Sequence, residues 1–134
     1  MQLDTSADLA TAAALTIADS LVSSSEETAV SYTVANVDSD ATVVVTFTDG
    51  TTTVTGDLTN NGTATVDLST LADGTITSSL AITDTAGNTA TVAGDSTTLD
   101  TTISDTVAPT VAITMDDTAL SVGETTVVTF TFSE

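Results

Sequence analysis

Apolar and polar positions alternate with a period of two along most of this chain, and no helical stripe replaces that alternation. Val30, Tyr32 and Val34 alternate with Ser31 and Thr33. Val43, Val45 and Phe47 alternate with Thr42, Thr46 and the less regular Val44. Ala64, Val66 and Leu68 alternate with Thr65 and Asp67, and Ile76, Ser78, Leu80 and Ile82 alternate with Thr77, Ser79, Ala81 and Thr83. Ala90 and Val92 form a last short run. Successive side chains on a strand point to opposite faces, so each run predicts a half-buried strand with one set of residues inward. Turn signals separate the runs: Asp49-Gly50, Asn60-Asn61-Gly62, Asp73-Gly74 and Asp84-Thr85-Ala86-Gly87-Asn88.

With Leu15-Thr16-Ile17 as a first strand and residues 52–55 as a middle one, about seven short strands result, with turns roughly every 8–12 residues. That spacing predicts an all-β fold, an immunoglobulin-like antiparallel β-sandwich with Greek-key connections. The cysteines and tryptophan of true immunoglobulin domains are absent, so the prediction rests on architecture.

A partial internal repeat divides the chain. Leu3-Asp4-Thr5 recurs as Leu99-Asp100-Thr101, and Leu15 and Ile17 match Val111 and Ile113 in the same register. With a small gap, Glu27-Thr28 matches Glu124-Thr125, and Tyr32-Thr33-Val34 matches Phe130-Thr131-Phe132. Residues 1–98 are predicted to form one module with an N-terminal linker, and 99–134 a linker plus the first strands of a following, incomplete repeat. Two opening strands bury too little to fold alone, so they are expected either to dock as an added edge or to pair with another chain.

Charge then narrows function. The chain has no Lys, Arg or His against 19 Asp plus Glu, for a formal net charge of −19. Lysine nucleophiles, histidine acid/base pairs and arginine clamps are excluded, as are nucleic acid and anionic membrane surfaces as electrostatic partners. Carboxylates without internal counter-charge favour hard divalent cations with oxygen ligands, Ca2+ first. Hydrophobic residues at 40% supply a core, so this is not a disordered acidic tail. About a quarter of the chain is threonine, which with frequent valine and isoleucine favours extended backbone. With no cysteine, neither disulfides nor thiolate ligands are available. The N-terminus carries no basic region followed by an apolar run, so no signal peptide is read there, and no apolar stretch is long enough to span a bilayer. Export is expected to be directed by sequence outside this window.

Strands that run up and down gather the loops at 37–40, 58–61 and 84–87 at the end where the chain enters. The loops at 19–27, 49–51 and 69–74 gather at the outgoing end. Asp38, Asp40 and Asp84, joined by Asp4 and Asp8 on the incoming linker, form one candidate calcium set. Asp95, Asp100 and Asp105 on the outgoing linker form the other, where a shared ion would stiffen the joint to a next module. The two Asp-Gly pairs read first as turns, Asp57 and Asp67 as solvated strand residues, and Asp116-Asp117 as a polar turn.

Residues 37–42, Thr46-Phe47-Thr48-Asp49-Gly50, 68–77, 84–90 and 99–102, together with the onset Val107-Ala108-Pro109-Thr110-Val111, resemble the bacterial Ig-like tandem repeats of giant adhesins of the RTX type, exported by type I secretion. These include extender repeats of biofilm and ice-binding adhesins. The resemblance implies an extracellular, cell-surface structural spacer rigidified by Ca2+ at its inter-repeat linkers, whose partners are neighbouring repeats of the same polypeptide. The glycine-rich nonapeptide that names the RTX class is absent.

The alternative is a subunit of a self-assembling surface filament or layer that uses residues 107–134 for intermolecular strand complementation. No enzymatic role, nucleic-acid binding or membrane insertion is expected. Paired carboxylates suit glycoside hydrolysis, but Tyr32, Phe47, Phe130 and Phe132 are the only aromatics and all fall at predicted inward positions, which leaves no platform for a sugar.

Overall fold

A computed structural model describes residues 13–102 and 108–133. The chain divides into two compact units, the second beginning at Ile103. In the first unit β1 (Ala14–Ile17), β3 (Val30–Ala35) and β6 (Gly62–Val66) form a three-stranded sheet in the order β1-β3-β6. A five-stranded sheet faces it, in the order β2-β8-β7-β4-β5. Its strands are β2 (Leu21–Ser23), β4 (Ala41–Thr48), β5 (Thr53–Gly56), β7 (Gly74–Asp84) and β8 (Thr89–Asp100). The chain passes repeatedly between the two sheets, and this unit is the expected immunoglobulin-like β-sandwich.

The predicted faces are the observed ones. Tyr32 and Phe47 have no exposed surface, and Val30, Val34, Val43, Val45, Ile76, Leu80 and Ile82 are buried with them. The Tyr32 and Phe47 rings meet edge to face across the sheets, with centroids 5.2 Å apart. The Tyr32 hydroxyl accepts a hydrogen bond from the Leu58 amide, so its polar tip is not stranded in the core.

Three elements depart from expectation. Residues 21–23, read as loop, form β2, which pairs in parallel with the end of β8. The Asp19 carboxylate turns the chain between the sheets by accepting from the Leu21 amide. β8 is not the short run around Val92 but continues to Asp100. The predicted boundary at 98/99 therefore lies inside a strand, and Leu99 is core rather than linker. Asp67, read as a strand residue, follows β6 and accepts from the Ser69 amide.

The second unit contains β9 (Val111–Met115) and β10 (Val128–Phe132), which pair antiparallel. Val111 lies opposite Phe132 and Ile113 opposite Phe130. In the first unit Leu15 lies opposite Val34 and Ile17 opposite Tyr32. The internal repeat thus reappears as the same pairing register. All ten residues of β9 and β10 are exposed. That corrects the inward placement of Phe130 and Phe132: inward positions need a facing sheet, and the described residues of this unit contain only these two strands.

Candidate functional site

The loop clusters fall at the ends of the sandwich as expected. At the incoming end, Ala41 of β4 lies opposite Asp84 of β7. Asp84 is buried, and both its carboxylate oxygens are engaged. One accepts from the Asn88 amide at 2.8 Å, the other from the Asn88 side-chain Nδ2 at 2.7 Å. The Asp84 carbonyl accepts from the Gly87 amide. Gly87, at φ +89°, supplies the left-handed conformation this loop needs. The Asn88 side chain, followed by loop amides, holds the Asp84 carboxyl below the usual carboxylate range. Asp40 accepts from the Thr85 hydroxyl at 3.3 Å. Asp38 contributes its carbonyl, which accepts from the Ala41 amide.

Two asparagines of the 60–62 turn tie this end, which goes beyond the turn signal they carry in the sequence. The Asn61 side chain accepts from the Val37 amide at 2.8 Å and donates to the Val37 carbonyl at 2.7 Å. The side-chain amide thereby pairs with backbone as a neighbouring strand would. Asn60 Nδ2 donates to the Ala41 carbonyl at 2.7 Å. The adjacent asparagines between two strands were the available signal.

At the outgoing end, Asp49 accepts from the amides of Thr51 and Thr52 with one oxygen and from Ala72 with the other, at 2.7, 2.7 and 2.8 Å. One carboxylate thus joins the β4–β5 turn to the β6–β7 connection, and these amides, Ala72 first, hold its carboxyl below the usual range. Asp73 accepts from the Thr101 amide and hydroxyl. An open cleft lies between the 49–52 and 70–75 segments.

The outgoing linker set is revised. Asp95 is a strand residue of β8, where its carboxylate accepts from the Ile17 amide at 3.3 Å and stitches one sheet to the other. Asp100 is the last residue of β8. It accepts from the amide and hydroxyl of Thr102, which hold its carboxyl low, the hydroxyl first. Asp4, Asp8 and Asp105 lie outside the described residues. Among the described residues, no three acidic side chains come together as a metal site would require. The engaged turn carboxylates act chiefly as acceptors for backbone N–H groups.

Residues 105–134 match the family model of a bacterial Ig-like domain. The matched segment contains β9 and β10, whose register repeats that of β1 and β3. No curated protein and no solved structure matches the chain. No helix among the described residues is long and apolar enough to cross a membrane. An Ig-like domain is a structural module in character, and its usual setting is the bacterial surface.

Proposed function

We propose that this chain is a spacer from a tandem array of Ig-like modules in a secreted bacterial surface adhesin. The observation that carries the reading is a sandwich followed by a second pair of strands in the register of its own β1 and β3, within a segment that matches a bacterial Ig-like domain. The partners of such a module are its neighbours in the same polypeptide. A wholly acidic surface suits the role, because like charge keeps modules from adhering side to side.

Calcium enters this proposal only at the linkers. The Asp84, Asp95 and Asp100 carboxylates already accept from internal donors, which a bound ion would have to share or replace. Of the candidates at the two linkers, Asp4, Asp8, Asp100 and Asp105, with Asp38 and Asp40 at the incoming end, would supply the oxygens; bound there, Ca2+ would provide counter-charge and stiffen the joint. Thermal unfolding and small-angle scattering in millimolar Ca2+ and in excess EGTA test both parts. The expected results are a higher melting temperature and a narrower distance distribution in Ca2+. Identical curves in the two conditions would remove calcium from the proposal. An unchanging, broad distribution would count against a rigid spacer.

A further inference from the structure

We propose that Asn61-Gly62 is a spontaneous modification site, a deamidation point that the folded sandwich holds shut and whose reaction unlatches the incoming end for good. The chain has four asparagines, and only Asn61 precedes a glycine. Asn36 and Asn88 precede the β-branched Val37 and Thr89, and Asn60 precedes Asn61. Deamidation begins when the amide nitrogen of the following residue attacks the side-chain carbonyl carbon, and a side chain on that residue crowds the attack. Gly62 has none. Asn61 is exposed, so water and hydroxide reach it.

The reaction balances with water alone. Hydroxide removes the Gly62 amide proton, and the electron pair of the nitrogen forms a bond to Asn61 Cγ. The Cγ–Nδ2 bond breaks, and Nδ2 takes a proton from water and leaves as ammonia. Water then opens the cyclic imide. Addition at Cγ gives aspartate. Addition at the Asn61 backbone carbonyl gives isoaspartate, in which the main chain runs through Cβ.

The fold opposes the first step. Attack requires the Asn61 carboxamide to turn onto Gly62. Instead its Oδ1 accepts from the Val37 amide at 2.8 Å and its Nδ2 donates to the Val37 carbonyl at 2.7 Å. Val37 is buried, so breaking this pair strands both of its backbone groups. Beside it, Asn60 Nδ2 donates to the Ala41 carbonyl and Asn60 Oδ1 accepts from the Asn61 amide, each at 2.7 Å. The chemistry must therefore wait for a local opening of the clamp, which slows it roughly 5–30-fold relative to the unfolded chain. The leaving group is the clamp's own donor. Once Nδ2 has gone, a carboxylate oxygen faces the Val37 carbonyl and the clamp cannot reform. The isoaspartyl product also lengthens the backbone just before β6, where Gly62 lies opposite Val34. All of these residues belong to the first unit, so the change is internal to the sandwich.

Incubation of the whole chain in mildly alkaline buffer, with and without concentrated urea, tests the proposal. Peptide mass spectrometry after Asp-directed digestion follows the conversion of –NH2 to –OH at each asparagine. Conversion is expected at Asn61 ahead of Asn36, Asn60 and Asn88, and at least about fivefold slower in the folded chain than in the denatured one. At low urea the rate should be nearly flat, because opening the clamp exposes little surface. Gly62→Ala should suppress the reaction in urea, where the folding of the variant does not matter. Returned to native buffer, aged protein should melt below fresh protein by the Tyr32 signal, and Asn61→Asp should melt as the aspartyl fraction does. Equal rates in the folded and denatured chain would overturn the proposal. So would a rate that climbs at low urea with the slope of global unfolding, first conversion at another asparagine, undiminished conversion in denatured Gly62→Ala, or aged protein that melts as fresh protein does.

Discussion

Asp49 shows what a carboxylate does in a chain that contains no basic side chain. Its three backbone donors come from two separate connections, so its charge is satisfied by oriented N–H dipoles in place of an ion pair. The Asp49 pKa is lower folded than unfolded, where it has its ordinary value near 3.8. Asp67, Asp84 and Asp100 are shifted in the same direction. Their contribution to stability is therefore fully present above about pH 4 and is lost as pH falls through the lower folded values. Asp49→Asn is expected to melt below the parent at pH 7, with the gap narrowing as pH falls below the ordinary value near 3.8; a gap that widens in acid contradicts this assignment. A glycine makes the complementary case. The register between β7 and β8 slips between Thr77 and Ser79, so Gly94 and Asp95 together oppose Ser78. A Cβ at Gly94 would sit 2.8 Å from the Cβ and Cδ2 of buried Leu15 and against the Ser78 hydroxyl. Gly94→Ala is expected to cost about 1–3 kcal/mol through overpacking, a fall of roughly 4–8 °C in Tm for each kcal/mol.

The same bulge explains which elements were legible in the sequence. Before it, the inward-leaning positions of β8 are Ala90, Val92 and Gly94; after it they are Thr97 and Leu99. One extra residue reverses the parity of the alternation, so β8 reads as ending at Val92, and Asp95 and Leu99 look like linker. β2 was illegible for another reason: it has three residues and only Val22 points inward, too little for any periodicity. The strands β3, β4 and β7 were legible because each keeps one face against the core along its length. For the acids, spacing showed which end of the sandwich each turn occupies but not whether its carboxylate meets a cation or an N–H, because both satisfy the same oxygens. The asparagine clamp was hidden similarly, since Asn-Gly reads as a turn whatever the side chain touches. Asn61→Ala is expected to cost about 1–2 kcal/mol, because it leaves the amide and carbonyl of the buried Val37 without their partners. Asn61→Asp should do no better, since it keeps the acceptor but sets a carboxylate against the Val37 carbonyl. Urea unfolding of both variants would show this, and a neutral Asn61→Ala would mean that water replaces the clamp.

Over the whole molecule the charges do not cancel. A chain of net charge −19 without Lys, Arg or His has no side-chain ion pair to lose when salt is added. In most proteins added salt weakens attractions and repulsions together, and the net effect is small in either direction. Here only repulsion between side chains is available for screening, and folding brings those charges closer than they are in the expanded chain. Sodium chloride should therefore raise the melting temperature steadily from about 0.01 to 0.5 M, by about 1–2 kcal/mol or roughly 5–10 °C for a unit of this size. The chain has no tryptophan and Tyr32 is its only tyrosine, buried in the first unit, so its signal reports that unit alone. The internal hydrogen bonds of Asp49 and Asp84 depend on short-range geometry and should not weaken over that range. A melting temperature that falls with salt would mean that attraction, not repulsion, dominates the folded state. The composition leaves only the chain's own N-terminal amine to provide it. Repeating the series with CaCl2 at matched ionic strength separates screening from binding: a rise beyond that in NaCl measures calcium held by the acids, and superimposable curves show that screening alone acts on this unit.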